Sequence, residues 1–152
     1  MVFDTTDILI AEVTGDGVDE FVTAVDGILD EAALALGRPF VSERVHIRAS
    51  APDGTMLGGL VGARLQGWLY VKLLGVSEHA RGRGVGAKLL AAAEDMARND
   101  RLAGVYLDTF EFQAPRFYLR EGYAEIGRLP KTGQAPQRIW YAKTFDDSGS
   151  ET

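Results

Sequence analysis

Three glycines in alternate positions, Gly82, Gly84 and Gly86, separate an apolar run ending at Val76 from a helix-like run beginning at Val85. Residues without a Cβ let a backbone close on a ligand, and the unpaired N–H groups of a helix start form a positive pole suited to a phosphate. Arg81 and Arg83 add two permanent charges to the same loop. Any fold for this chain must therefore place a strand, a phosphate-type turn and a helix in direct succession.

The rest of the chain supplies the neighbours of that unit. Ile8, Leu9, Ile10 and Val13 precede Thr14, Gly15, Asp16 and Gly17, which predicts a first strand over 8–13 and a turn. From 18 to 36, Val18, Phe21, Val22, Val25, Ile28, Leu29, Ala32, Ala33 and Leu36 recur at three- and four-residue steps, an amphipathic helix stopped by Gly37. Val45, Ile47 and Ala49 alternate with His46 and Arg48, and Pro52, Asp53 and Gly54 make a tight turn before a second apolar run over 56–65. Gln66 and Gly67 break that run, and a third strand follows over 68–76. Gly58, Gly59, Gly62 and Gly67 weaken such strands unless a bulge or a close backbone approach requires them. A helix from Val85, a strand over 105–110, a short helix opened by Pro115 and closed by Gly122, and a hairpin of 124–129 with 138–143 complete the series. The expected order is β-α-β-β-β-α-β-α-β-β.

The length of 152 residues suits one domain, expected over 1–145, followed by an acidic tail over 146–152 expected to be disordered. Cysteine is absent and His46 and His79 are the only histidines, which excludes disulfide scaffolds and cysteine-ligated metals and makes metal catalysis unexpected. A formal net charge of −6 argues against a nucleic-acid partner, whose phosphates need clustered Lys and Arg, and favours a cationic one. No apolar run nears the roughly 20 residues that span a bilayer. Asp4 and Asp7 stand where a secretory signal carries positive charge, so a cytoplasmic protein without a membrane partner is expected.

Two phosphate patterns compete for the loop. Gly82-x-Gly84-x-x-Ala87 formally satisfies the dinucleotide fingerprint, with Asp108 roughly where a ribose-binding acid belongs. In that fingerprint the first glycine follows the strand directly, whereas Ser77, Glu78, His79, Ala80 and Arg81 intervene here. The chain after Asp108 is also too short for a doubly wound sheet. A Walker loop fails because Leu89 follows Lys88.

The segment from Val76 through Leu90, with Arg81-x-x-Gly84-x-Gly86 at its centre, resembles the acyl-CoA-binding motif of the GNAT superfamily, (Gln/Arg)-x-x-Gly-x-(Gly/Ala). Glu78 departs from it, standing where such proteins often carry proline. A second stretch, Ala114-Pro115-Arg116-Phe117-Tyr118-Leu119-Arg120-Glu121-Gly122-Tyr123, is similar to the same family's Ala-x-x-(Leu/Phe)-Tyr-x-x-x-Gly-(Phe/Tyr) segment. Two motifs in the right order carry far more than one. The resemblance runs from about Val45 to Lys143. It implies an α+β fold, a three-layer α/β arrangement whose mixed, mostly antiparallel central sheet has helices on both faces.

The resemblance also implies roles. Backbone amides of Gly82, Arg83, Gly84, Val85, Gly86 and Ala87, beside Arg81, would hold the pyrophosphate of acetyl-CoA, and the strand end Leu74, Gly75 and Val76 would bond its pantetheine arm. That arm needs the strands over 68–76 and 105–110 to splay, with Gly75 suited to a bulge. Tyr118 matches the tyrosine that protonates the departing sulfur, and Phe117 would wall the cofactor cleft. Glu111 is a candidate base or a hydrogen-bond partner of the pantetheine; Asp108, Glu78, His79 and Tyr70 are rivals. The expected activity is direct transfer of an acetyl group from acetyl-CoA to a primary amine, borne by a small molecule or a protein, with no metal. A homodimer formed through terminal strands agrees with the resemblance. Two other readings remain: a non-catalytic acyl-CoA sensor, and a dinucleotide-dependent oxidoreductase.

Overall fold

The computed structural model describes residues 7–145, so the tail expected to be disordered over 146–152 lies outside the described residues. The chain divides into two compact units with a boundary between Phe40 and Val41.

In the first unit, a 3-10 turn at Gly15–Gly17 leads into α1 (Val18–Ala35), as the apolar periodicity predicts. Gly37 ends it at φ 71°. The Gly37 N–H donates to the Leu34 carbonyl at 3.0 Å and the Arg38 N–H to the Ala33 carbonyl at 2.8 Å, a Schellman closure. The strand expected over 8–13 does not form. No described strand pairs with those residues, so an extended conformation there would gain no ladder bonds, and Ile8, Leu9 and Ile10 are exposed. On α1 Phe21, Val22, Ile28 and Leu29 are exposed and Ala33 is buried.

The second unit carries β1 (Glu43–Ser50), β2 (Met56–Leu65), β3 (Trp68–Val76), α2 (Val85–Asn99), β4 (Gly104–Phe110), α3 (Pro115–Arg120), β5 (Ala124–Arg128) and β6 (Arg138–Thr144). The strands form one six-stranded sheet in the order β1-β2-β3-β4-β6-β5. Every neighbouring pair is antiparallel except β3 and β4. The β1–β2 turn closes through Ala51 N–H to the Thr55 carbonyl and Thr55 N–H to the Asp53 carboxylate. Gln66 and Gly67, with φ 49° and 85°, give the two-residue turn whose twist matches paired strands.

The parallel joint is short. Its register runs from Leu69–Val105 to Val71–Leu107 and no further, although β3 continues to Val76 and β4 to Phe110. The two strands therefore part at Val71 and Leu107, the splay that the resemblance implies. The bulge that accompanies it is at Lys72, not at Gly75: Val61 faces Leu73 and Gly62 faces Val71, while Gly75 pairs in register with Gly59. An extra residue increases local bend and twist, which turns the end of β3 away from β4.

One face of the sheet packs on α2. Leu89, Leu90, Ala93 and Ala97 meet Leu69, Val71, Val105 and Leu107 in a core from which water is excluded. Each such leucine contributes about 2 kcal/mol by burial. Beside this core, Glu94 of α2 accepts hydrogen bonds from the Tyr123 hydroxyl at 3.0 Å and from Lys143 at 2.9 Å, and Lys143 also donates to the Glu121 carbonyl at 3.0 Å. That network ties α2, the end of α3 and β6 together.

Gly62 has a packing reason. A Cβ there would stand 2.2 Å from the Tyr70 carbonyl oxygen, backbone that cannot move aside. Gly62→Ala is expected to destabilise the protein by about 1–3 kcal/mol, read as a lower urea midpoint. Gly127→Ala, where a Cβ meets no atom within 4 Å, should stay within about 0.5 kcal/mol of the parent.

Candidate active site

The splay of β3 from β4, the start of α2 and the length of α3 enclose a cleft of about 830 Å³. Its floor at the sheet is Leu74, Gly75 and Val76; its rim is Arg81, Gly82, Gly84, Val85, Gly86 and Ala87; and its far wall is Ala114, Phe117, Tyr118, Arg120 and Glu121. Ten of the cofactor-side residues expected from sequence thus converge, and Tyr118 joins them. Arg83 is not part of the lining, nor is Glu111. Ala80, Ala114, Arg120 and Glu121 belong to it and were not singled out; Arg120 and Glu121 follow Phe117 at three- and four-residue steps, so the helical period of α3 was the signal available.

The glycine loop takes its shape from two left-handed residues, Gly82 at φ 76° and Gly84 at φ 79°. Nothing lies within 4 Å of where a Cβ would stand on either, so the loop presents open space rather than packing. Gly84 also caps α2, and no side chain bonds to the free N–H groups of the first turn. No acidic residue occupies that turn. In a chain of net charge −6 the helix start is thereby left electropositive. Arg81 donates from Nε to the Val76 carbonyl at 3.3 Å, which pins the loop to the end of β3. Gly86 keeps the helix close to the far wall, since a Cβ there would touch the Phe117 ring at 3.4 Å.

Tyr118 is held in an aromatic cluster: its ring stacks on Tyr141 at 5.9 Å and meets Phe117 edge-on at 5.0 Å. Tyr123 N–H donates to its carbonyl at 2.9 Å, linking α3 to the Glu94 network. Burial first, and the Asp108 carboxylate second, push the Tyr118 phenol above its ordinary pKa. It stays a proton donor well into alkaline solution.

The opposite face of the sheet carries a second group of residues. On β4, Val105, Leu107 and Thr109 are buried, so Tyr106, Asp108 and Phe110 point to the other side. Register puts Tyr70 beside Tyr106 and Trp140 beside Asp108 on that side. Asp108 Oδ1 accepts from the Tyr70 hydroxyl at 2.7 Å, and Oδ2 accepts from Arg138 Nε at 2.8 Å and Nη2 at 2.6 Å. Burial, then the bond to Asp108, push Tyr70 up to about 12. Asp108 is the first residue of β4 beyond the last pair with β3, so it stands at the mouth of the splay.

Glu111 is engaged elsewhere. Lys131 Nζ donates to its Oε1 at 2.6 Å and the Gln137 N–H at 3.2 Å. The Lys131 bond first, and the Gln137 amide second, hold its carboxyl below the ordinary range. Such a carboxylate is a weaker base than a free one. Glu78 and His79 lie in a 3-10 turn ahead of the loop and line no part of the cleft.

The family model described as an acetyltransferase (GNAT) domain matches residues 42–125. The chain is 44% identical over 101 residues to the acetyltransferase Atu2258 of Agrobacterium fabrum, covering 66% of this chain and 74% of that protein. It is 45% identical over 83 residues to the blasticidin-S acetyltransferase of Streptomyces morookaense, covering 54% of this chain and 61% of that one. A crystal structure of a protein from Agrobacterium tumefaciens assigned as an acetyltransferase superposes with a TM-score of 0.77 at 34% identity, covering 91% of this chain and 99% of the other.

The ion pair at Glu111 gives a direct expectation. Its pKa is lowered in the folded state, so its contribution to stability is present at neutral pH and lost as pH falls through that lowered value. Lys131→Met should raise the Glu111 pKa toward that of an ordinary carboxylate, followed by NMR titration of the side-chain carboxyl carbon, and should flatten the acid limb of the stability curve.

Proposed function

The chain belongs to the GNAT family of acetyltransferases, and on that premise we propose that it transfers an acetyl group from acetyl-CoA directly to a primary amine. The observation that carries this reading is the start of α2, which has no side-chain cap and opens with Gly82 and Gly84 onto the same cleft that Tyr118 lines. A pyrophosphate fits there on physical grounds: backbone donors without partners, no acidic side chain in the first turn, and free space above both glycines. Residues 74–76 offer the backbone freed by the splay to the pantetheine arm in the manner of an added strand.

In this proposal the cofactor side and the acceptor side lie on opposite faces of the sheet and meet through the splay. Asp108 accepts a hydrogen bond from the amine and aims its lone pair at the thioester carbonyl. A C–N bond forms, the C–S bond breaks, and Tyr118 gives its phenolic proton to the departing sulfur. The proton lost by the amine passes to solvent on the open side, and solvent returns one to the Tyr118 phenolate, so that the protons balance over the cycle. No covalent enzyme intermediate is needed, in keeping with a chain that has no cysteine. Glu111, bound to Lys131, has no part in the reaction under this reading, and Asp108 is the carboxylate that meets the amine. The domain proposed to do this spans 1–145, and the acceptor is a small-molecule amine.

Calorimetric titration with acetyl-CoA, and separately with NAD, tests the reading. Micromolar affinity for acetyl-CoA, absent in a Gly84→Asp, Gly86→Asp variant, is the expected result; tight NAD binding with none for acetyl-CoA would sink the proposal. Release of CoA that depends on an added amine separates an enzyme from a sensor. Tyr118→Phe should lower kcat by about 10²-fold with acetyl-CoA affinity kept. Because burial and then the Asp108 carboxylate raise the Tyr118 pKa, wild-type kcat/KM should climb as the amine deprotonates, and any fall from loss of the phenolic proton should come at higher pH than for a free tyrosine.

A further inference from the structure

We propose that the acceptor is an amine that also carries a carboxylate on an apolar or aromatic body, an amino-acid-like zwitterion, read by Asp108 and Arg138 on the face of the sheet opposite α2. The inference rests on the acetyl-transfer reading above and names the substrate class of that same site.

The pair is built to expose one charge and recess the other. The Asp108 side chain is 13% exposed and the Arg138 side chain 39%. Arg138 spends Nε and Nη2 on a single oxygen, Oδ2, instead of bridging both carboxylate oxygens. A guanidinium so engaged along one edge still offers donors to a second planar anion, the recognition at which arginine excels. Asp108 Oδ1 in turn accepts from the Tyr70 hydroxyl and, as a carboxylate oxygen, keeps a further lone pair for an amine N–H. One centre thus presents an acceptor for an amine and a donor fork for a carboxylate, side by side at the mouth of the splay.

The surroundings fix the body of the ligand. Arg138 lies over the Trp140 ring at 5.1 Å and near Phe110 at 6.0 Å, and Tyr70 and Tyr106 lie 5.0 Å apart on the neighbouring strands. Aromatic side chains favour a flat or apolar group, and the Trp140 ring beneath Arg138 helps to orient its fork. A polycation fits poorly, because the exposed charge of the pair is positive.

The test compares acceptors that differ only in the carboxylate: L-phenylalanine against phenethylamine and L-tryptophan against tryptamine, each with acetyl-CoA. Released CoA is read with a thiol reagent, to which a chain without cysteine contributes no background. The expected result is a kcat/KM about 10-fold or more higher for the amino acids, a ratio that collapses in Arg138→Gln while acetyl-CoA affinity is kept. Equal or reversed preference, or a ratio that survives in Arg138→Gln, would overturn the inference. If no acceptor turns over, binding of the N-acetylated products in the presence of CoA is followed by tryptophan fluorescence. Tighter binding of the acids supports the inference, and anything else overturns it. Acetyl-CoA binding measured alongside shows whether the acetyl-transfer reading stands when this one fails. Should Arg138→Gln not fold, Arg138→Lys keeps the charge and removes the fork, and the wild-type ratio decides in either case.

Discussion

The three-pair parallel joint between β3 and β4 is the constraint on which the second unit depends. A parallel connection needs a long crossover, and here the crossover is the glycine loop with α2, which must return across the sheet to start β4. The same connection that closes the fold therefore delivers the helix start to the middle of the sheet, at the end where β3 and β4 part. Stopping the pairing at Val71 and Leu107 leaves backbone on β3 unspent, and the bulge at Lys72 turns it outward. Site and topology share one cause.

Electrostatics then divide the labour between faces. The chain is acidic as a whole, but the first turn of α2 has no acidic residue and no side-chain cap. Its N–H groups have no side-chain cap to satisfy them. On the other side, Asp108 is never alone: Arg138 and Tyr70 hold it, and its charge adds to burial in raising the pKa of the Tyr118 phenol. Glu94, deeper still, is neutralised by Lys143 and bonded to Tyr123, and through the backbone of Tyr123 it steadies Tyr118. A buried charge of this kind is tolerated because its partners are complete.

Much of this was legible in the residues. Apolar periodicity located α1, α2 and the strands β1 to β6 to within a residue or two, because burial on one face imposes period 2 or 3.6 whatever the topology. Gly37 and Gly122 marked helix ends because only a residue without a Cβ takes a positive φ cheaply. The spacing of Arg81, Gly84 and Gly86 located the loop that rims the cleft, since it is local in sequence. The first strand failed for the converse reason: Ile8 to Val13 has the right composition, but a strand is a pairing, and composition carries no partner.

What sequence alone determined about this protein is what a few neighbouring residues decide by their own conformational limits and chemistry: the glycine turn, the helix stops, the exclusion of cysteine chemistry, and the family its two motifs resemble. Only tertiary structure decided the partners. Nothing local says that Lys131 takes Glu111, that Arg138 takes Asp108 across 30 residues, or that the extra residue of β3 is Lys72 and not Gly75. The Asp108 pairing and the Lys72 bulge follow from strand register, which fixes which side chains share a face, while Lys131 reaches Glu111 from the loop between β5 and β6, where no local pattern names a partner.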